Sequence, residues 1–247
     1  DLDRRRLSVD ERIEPFLRVA EAVQYAHIRL VVHRDIKPSN VLVGDGETGV
    51  KLLDFGIAKL LDQGGDRSAE IMGFTRWMTR RYASPEQIQG RPVTTSTDVH
   101  GLGVLLYELL TGFRPFGEGG ESEFELARII SEQVPRLPSA AAAVAEGAAR
   151  DGSPLVPTSA GGDGSGETES VRAAQARSTT PERLQREILG DLDALVAKAL
   201  RKDPEDRFAS VQSMVDDLIR YRTGFPVQAR EGMMVYRARK FLTRHRL

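Results

Sequence analysis

One short run of residues constrains this chain more than any other, because it places a carboxylate, an ammonium group and a carboxamide on one loop. The run reads His33-Arg34-Asp35-Ile36-Lys37-Pro38-Ser39-Asn40. A second motif, Asp54-Phe55-Gly56, begins fourteen residues after Asn40. Phosphoryl transfer needs a carboxylate to orient the attacking hydroxyl, a cation to neutralise the moving phosphoryl group, and oxygen ligands for magnesium. The two motifs, in this order and spacing, supply that set of groups.

On these motifs the chain resembles the protein kinase family, and the resemblance covers nearly its whole length. It extends to Ser84-Pro85-Glu86, at the place of an Ala-Pro-Glu motif, and the wider wording is similar to bacterial serine/threonine kinases. The fold that this implies is mainly α: the larger, C-terminal lobe of a kinase, with a short β-hairpin beside the catalytic loop, which here means residues 33–40. The activity that it implies is transfer of the γ-phosphoryl group of ATP, with Mg²⁺, to serine and threonine hydroxyls of proteins in signalling.

The first 32 residues differ from the start of a complete kinase, because they contain no Gly and no Lys. Kinases carry an upstream lobe with a Gly-rich phosphate loop and a strand Lys. We therefore expect this chain to be a piece of a longer protein that is inactive by itself. The open alternative is a non-catalytic interaction module, either a pseudokinase or a truncated lobe. A small-molecule phosphotransferase is disfavoured, because Ser84-Pro85-Glu86 and Arg207 resemble a platform for peptide substrates.

The resemblance implies a role for each residue of the catalytic loop. Asp35 would be the catalytic base, which orients the substrate hydroxyl and accepts its proton late. Lys37 would reach the transferring phosphoryl group of ATP as a point charge. Thr79 matches the Thr that hydrogen-bonds both of these side chains in serine/threonine kinases.

Two further positions resemble the magnesium ligands of kinases, and one resembles a nucleotide contact. Asn40 would bind Mg²⁺ through its side-chain oxygen, and Asp54 would bind the Mg²⁺ that bridges the ATP phosphates. Leu42 matches the residue that packs beneath the adenine ring. A buried strand leucine is the plain alternative for Leu42.

Several residues resemble structural parts of a kinase. His33 and Phe55 would stack in an apolar column, and Gly56 would give the backbone after it conformational freedom. Asp98 resembles the helix Asp that anchors the catalytic loop through hydrogen bonds, which a buried charge requires.

Two pairs of residues would connect the activation segment, residues 57–83, and its surroundings to the lobe. Glu86 would form a buried ion pair with Arg207. Arg34 would receive a phosphate carried by the activation segment, and Thr75 is the best acceptor for that phosphate.

Apolar periodicity predicts the main elements. Ser8 and Glu11 fit a capping box before a helix with Ile13, Phe16, Leu17, Ala20 and Val23 inside. Two strands are expected around 41–43 and 50–53. A strongly apolar helix is expected to open at Asp98 and stop at Gly112. Two more helices are predicted after Asp191 and Ser210.

Composition divides the chain into a lobe at 1–137 and 182–225, an insertion at 138–181 and a tail at 226–247. The insertion is rich in Ala, Gly and Ser, which predicts disorder. Residues 230–247 contain six Lys or Arg against one Glu, which suits the cytoplasmic flank of a membrane or a solvated helix.

Charge and cysteine content narrow the partners. The formal net charge is -1 with 29% charged residues, so no global field points to nucleic acid, and the absence of Cys excludes thiolate metal sites. We expect protein substrates, ATP and a cytoplasmic location, with possible membrane anchoring through sequence beyond residue 247.

Overall fold

The structure is a computed structural model that describes residues 2–44, 49–54, 81–117, 119–143 and 169–230. Its helices and strands, in chain order, are α1 (Val9–Ile28), β1 (Val41–Val43), β2 (Val50–Leu52), α2 (Pro85–Ile88), α3 (Thr95–Thr111), α4 (Glu123–Glu132), α5 (Pro138–Ala143), α6 (Glu169–Gln175), α7 (Pro181–Ile188), α8 (Asp191–Ala199) and α9 (Val211–Arg222). Short 3₁₀ turns lie at Pro38–Asn40, Pro204–Asp206 and Gln228–Arg230. The predicted helical character and the predicted hairpin are both confirmed.

Helix α1 begins at the capping box that the sequence predicts. The Glu11 carboxylate accepts a hydrogen bond from the Ser8 backbone N–H at 2.8 Å, and the Ser8 hydroxyl accepts one from the Glu11 N–H at 3.4 Å. Each bond satisfies a donor that the helix itself leaves unpaired. The apolar residues expected to face inward are all buried, namely Ile13, Phe16, Leu17, Ala20 and Val23. This face packs against α3 and α9, and the last turn of α1 leads into the catalytic loop.

Helix α3 is the central helix of the described lobe. It begins at Thr95 and is capped by Thr94, one turn earlier than the expected start at Asp98. The run 94–97 consists of Thr and Ser residues that can each cap a helix, so the sequence did not single out Thr94. Helix α3 packs against α1, α5, α8 and α9, and most of its side chains on every face are buried. It ends at Gly112, which has φ 83°, as the sequence predicts.

Strands β1 and β2 form the antiparallel hairpin beside the catalytic loop. Val41 pairs with Leu52, Leu42 with Lys51 and Val43 with Val50. Leu42 projects from this hairpin with 52% of its surface exposed, so its interpretation as a buried strand leucine is wrong. The exposed face of a two-stranded hairpin has no second layer of the described chain to cover it.

Both ends of the range 138–181 are helical, which corrects the expectation of a disordered insertion. Helix α5 is held by Asp193, whose carboxylate accepts from the Ser139 N–H at 2.9 Å and the Ser139 hydroxyl at 2.6 Å. Helix α6 and the turn after it lead to Arg177, a buried side chain that binds the end of α3. Composition misled here because Ala, counted as low complexity, is also the strongest helix former. Residues 144–168 lie outside the described residues, and their disorder stays a prediction.

The packed part of the lobe also extends past the predicted tail boundary. Val227 is buried, and the Asp217 carboxylate accepts hydrogen bonds from the N–H groups of Gln228 and Ala229, each at 2.7 Å. These contacts hold the turn Gln228–Arg230 against the domain, so the expected tail starts too early at 226. Across the described ranges, no helix combines the length and apolar character needed to cross a bilayer.

Candidate active site

The catalytic loop gathers the three side chains that the sequence singles out. The Asp35 carboxylate lies 2.8 Å from Lys37 Nζ and accepts a hydrogen bond from Asn40 Nδ2 at 3.1 Å. Asn40 Nδ2 also donates to the Asp35 backbone carbonyl at 2.8 Å, which closes the loop on itself. The Asp35 and Lys37 side chains keep 14% and 17% of their surface exposed. The carboxylate is therefore held in place and still accessible to a small group.

Asp98, from the first turn of α3, anchors this loop from below. Its two carboxylate oxygens accept hydrogen bonds from the backbone N–H groups of His33 and Arg34, each at 2.8 Å. His27, at the end of α1, places its Nε2 atom 2.7 Å from the same carboxylate. Asp98 is 1% exposed, and a buried carboxylate is tolerated when its oxygens are hydrogen-bonded in this way. The anchoring role expected for Asp98 agrees with this geometry.

His33 connects the loop to the end of the hairpin. Its Nδ1 atom accepts from the Asp35 N–H at 3.3 Å, and its Nε2 atom lies 3.0 Å from the Leu53 carbonyl oxygen. An accepting Nδ1 requires the proton to be on Nε2, which then donates to Leu53. His33 is fully buried, which fits the structural role expected for it.

Asp54, one of the two proposed magnesium ligands, comes directly after Leu53, which His33 contacts. The Leu53 N–H donates to the Asn40 carbonyl oxygen at 2.8 Å, so Asp54 emerges beside the catalytic loop. Asp54 has φ 51° and an exposed side chain. Asn40 uses its Nδ2 atom for Asp35, and its Oδ1 atom has no hydrogen bond in the described part of the chain. Two hard oxygen donors, from Asn40 and Asp54, fit the preference of Mg²⁺.

The predicted pair of Glu86 and Arg207 is present and buried. Arg207 Nη1 and Nη2 each lie 2.8 Å from a different oxygen of the Glu86 carboxylate, which also accepts from the Thr97 hydroxyl at 2.8 Å. Burial alone would raise the pKa of Glu86, but the hydrogen bonds and charge of Arg207 outweigh it and lower that pKa to about 2. Glu86 is therefore ionised at neutral pH and ties α2 to the turn before α9.

Comparisons with known proteins agree with this geometry. A family model described as the protein kinase domain matches residues 3–219. The chain belongs to the protein kinase domain family.

Two bacterial kinases are among the relatives of this kinase domain. The serine/threonine-protein kinase PknB of Mycobacterium tuberculosis is 30% identical over 220 residues, which make up 88% of this chain and 27% of PknB. The serine/threonine-protein kinase PkaA of Streptomyces coelicolor is 45% identical over 124 residues, or 49% of this chain and 22% of PkaA. The kinase domain thus spans about a quarter of the length of these curated relatives.

A solved structure supports the fold alone. The crystal structure of a mutant PknI kinase domain of Mycobacterium tuberculosis matches with a TM-score of 0.50 and 22% identity, over 87% of this chain and 56% of that one.

Two residues that support the catalytic loop of this kinase domain were missed in the sequence: His27 contacts Asp98, which anchors the loop, and Gln87 contacts the loop itself. His27 gave no signal, because a single His at a helix end has no distinctive pattern. Gln87 stands three residues after Ser84, so the sequence did show a capping box. The contact of Gln87 with the catalytic loop, at 2.8 Å from Nε2 to the Arg34 carbonyl oxygen, could not be read from that pattern.

Four residues predicted for the site lie outside the described residues, namely Phe55, Gly56, Thr75 and Thr79. Their roles stay predictions.

Proposed function

We propose that this chain is the catalytic lobe of an ATP- and Mg²⁺-dependent protein serine/threonine kinase. The observation that carries the proposal is the Asp35 carboxylate, held by Lys37 and Asn40 on a loop whose backbone is anchored by buried Asp98. A carboxylate fixed at its own loop, with an ammonium group 2.8 Å away, suits proton acceptance beside a developing negative charge. The named relatives, which are serine/threonine-protein kinases, support the same reaction.

In this proposal Asp35 orients the substrate hydroxyl and accepts its proton. Lys37 is already within reach of the Asp35 carboxylate, and its ammonium group moves its contact to the transferring phosphoryl oxygens when ATP is present. Asn40, through the Oδ1 atom that accepts no hydrogen bond from the described residues, and Asp54, through its exposed carboxylate, would hold Mg²⁺. Bound Mg²⁺ supplies positive charge that neutralises the ATP phosphates. The exposed apolar side chain of Leu42 offers a surface for the adenine ring.

Regulation by phosphorylation belongs to the same proposal. The Nε atom of Arg34 is buried and has no hydrogen-bond partner among the described residues. A phosphate on Thr75 would pair with this guanidinium and add about -1.5 to -2 charges to the activation segment. Mass spectrometry of the active protein should find Thr75 phosphorylated, and Arg34→Ala should remove the activation. An unmodified Thr75 in fully active protein would contradict this.

The partners are proposed on the same basis. Protein substrates would contact the platform formed by Ser84-Pro85-Glu86, and we place the domain in the cytoplasm, with the basic residues of 226–247 toward a membrane flank. Thr79 would hydrogen-bond Asp35 and Lys37 and so complete the site.

One observation is also compatible with a second function. Large apolar side chains in the segments that flank the catalytic loop in the sequence are exposed, namely Tyr25, Ile28, Leu30, Val31 and Leu42. We propose that an ATP-holding lobe covers them. A kinase-like module that only binds other proteins would also use such a surface.

Phosphoryl transfer in the full-length protein separates these functions. Incubation with γ-labelled ATP, Mg²⁺ and a basic protein substrate should label serine and threonine, and chelation of Mg²⁺ should abolish the label. Asp54→Asn should weaken Mg·ATP binding as well as turnover. Full-length protein that binds partners but transfers no label would favour the interaction module. The 247-residue chain alone is expected to transfer far less label than the full-length protein.

A further inference from the structure

Arg34, directly before the proposed base, has an unusual backbone. Its φ is 69°, in the left-handed region that residues other than Gly rarely adopt. Such a conformation costs free energy and persists only where the surrounding structure holds it. The peptide bond that follows joins Arg34 to Asp35, so the orientation of the Arg34 carbonyl sets the direction in which Asp35 leaves the loop.

Side chains from two different helices bind the backbone of Arg34. Its N–H donates to Asp98 Oδ1 at 2.8 Å, and its carbonyl oxygen accepts from Gln87 Nε2 at 2.8 Å. Asp98 belongs to α3, whereas Gln87 belongs to α2, the helix that also carries Glu86. Arg34 is therefore held on one side by the central helix α3 and on the other by α2, which follows Ser84.

The amide of Gln87 has its orientation fixed by a second contact. Its Oε1 atom accepts from the Ser84 N–H at 3.0 Å and from the Ser84 hydroxyl at 3.4 Å. The Gln87 N–H in turn donates to Ser84 Oγ at 3.4 Å, which completes a capping box. With the oxygen used by Ser84, the Nε2 atom points toward Arg34, and a reversed amide would place two oxygens against each other.

We propose that Gln87 is a positioning residue for the kinase reaction: its Nε2–H holds the Arg34 carbonyl and thereby the direction of the Asp35 carboxylate. Gln87 contacts neither the nucleotide nor the substrate hydroxyl and acts only through the backbone. The proposal rests on the proposed function, because positioning has a kinetic effect only if Asp35 takes part in phosphoryl transfer. It also gives α2 a direct link to the catalytic loop, in addition to the ion pair of Glu86.

Two variants separate the two contacts of Gln87. Gln87→Glu keeps an acceptor for Ser84 but cannot donate to the Arg34 carbonyl. Gln87→Lys keeps a donor toward that carbonyl but loses the acceptor for Ser84. Gln89→Glu is the matched control, because it makes the same amide-to-acid change at the exposed end of α2.

In the full-length protein, Gln87→Glu should lower kcat about three- to tenfold, the effect of losing one hydrogen bond, with KM for Mg·ATP unchanged. Gln87→Lys should keep more of kcat than Gln87→Glu, although it loses the cap of α2. A purely structural role for Gln87 predicts the reverse ranking, because the Lys variant loses more of the capping box. Wild-type kcat in Gln87→Glu, or an equal loss in Gln89→Glu, would overturn the proposal.

Hydrogen exchange gives a readout that does not depend on activity. In the 247-residue chain, the Asp35 N–H should exchange several-fold faster in Gln87→Glu than in the wild type or in Gln89→Glu, because the Arg34–Asp35 peptide loses its fixed orientation. Unchanged exchange would overturn the positioning role. Absence of phosphoryl transfer by the wild type, by contrast, would refute the proposed function.

Discussion

Two regions of the molecule each bury an arginine: Arg207 lies beside Glu86, and Arg177 lies at the end of α3. The two guanidinium groups have different kinds of hydrogen-bond partner. Arg207 pairs with a carboxylate at 2.8 Å and also donates to three backbone carbonyls, those of Ser96, Arg201 and Lys202. Arg177 donates only to carbonyls at hydrogen-bond distance, with Asp3 no nearer than 3.9 Å. One arginine completes an ion pair, and the other caps a helix.

The carbonyls that Arg177 binds explain its position. Leu109 lies in the last turn of α3, where its carbonyl has no partner within the helix. The neighbouring Glu108 carbonyl accepts from the Gly112 N–H at 2.8 Å as well as from Arg177, and Ala173 lies in α6. Burial and then the charge of Arg12 lower the pKa of Arg177 to about 10, so it stays charged at neutral pH. A residue next to a low-complexity segment therefore holds the C-terminus of the central helix.

The largest effect is expected at the ion pair. Glu86→Leu or Arg207→Met should each lower the free energy of unfolding by about 3–5 kcal/mol, because the remaining charge stays buried without its partner. The double variant should lose less than the sum of the two, and less than either alone. Urea denaturation of the 247-residue chain measures all three.

A surface pair provides the control for this prediction. Arg222 lies 2.7 Å from Glu14, but their side chains are 33% and 49% exposed. Arg222→Met should therefore change the free energy of unfolding by only about 0–1 kcal/mol. Strictly additive losses for Glu86 and Arg207 would show that these two side chains do not interact.

A somewhat smaller loss is expected at Arg177. Arg177→Met removes the donor to the carbonyls of Leu109 and Ala173 and one of two donors to the carbonyl of Glu108, which should cost about 2–4 kcal/mol. Arg172→Met, on the exposed face of α6, should have little effect in the same denaturation experiment. If both variants were equally stable, α6 would not be anchored to α3 as described.

These two regions also show what could be predicted from sequence. The catalytic loop, Asp98 and the Glu86–Arg207 pair stand in motifs, so their contacts were expected before the structure. Arg177 and Asp193 bind backbone groups, and a backbone partner leaves no pattern in the sequence. The short helices α5 and α6 depend on such contacts, because helices of this length are marginal without tertiary packing.

The residues of the site divide in the same way, into those that stand in a motif and those whose position depends on packing. Asp35, Lys37 and Asn40 were placed together correctly because they share one loop. The contributions of His27 and Gln87 depend on where α1 and α2 end relative to that loop, which is a matter of packing and not of local pattern.

A smaller effect, a pH-dependent loss of stability, should distinguish the region around Glu86 and Arg207 from the region around Arg177. His100, in α3, is fully buried, stacks on Phe116 with ring centroids 5.8 Å apart, and has no hydrogen-bond partner for either ring nitrogen among the described residues. Burial, followed by the charge of Arg207, lowers the pKa of His100 to about 3 from an ordinary value of 6.5. Lys202 adds to this effect, and Glu86 opposes it.

Because the folded pKa of His100 is the lower one, the unfolded state binds its proton first as the pH falls. The contribution of neutral His100 to the free energy of unfolding is therefore fully present above pH 6.5 and decreases below it. The decrease is about 2 kcal/mol between pH 7 and pH 5. Glu86 acts in the same direction only below its ordinary pKa of 4.5. Urea denaturation at pH 7 and pH 5 should show this loss in the wild type and not in His100→Leu. If the free energy of unfolding changed equally between pH 7 and pH 5 in the two proteins, the pH dependence would not come from His100.

The most direct test of the account is the rate of phosphoryl transfer by Asp35→Asn in the full-length protein. Asparagine keeps the size of the side chain and a hydrogen-bond acceptor for Asn40, but it cannot accept the substrate proton. Single-turnover transfer should slow by about 10²–10⁴-fold, while the affinity for Mg·ATP, measured in the same preparation, stays unchanged. Transfer within about threefold of the wild-type rate would contradict the central claim that this carboxylate serves the reaction.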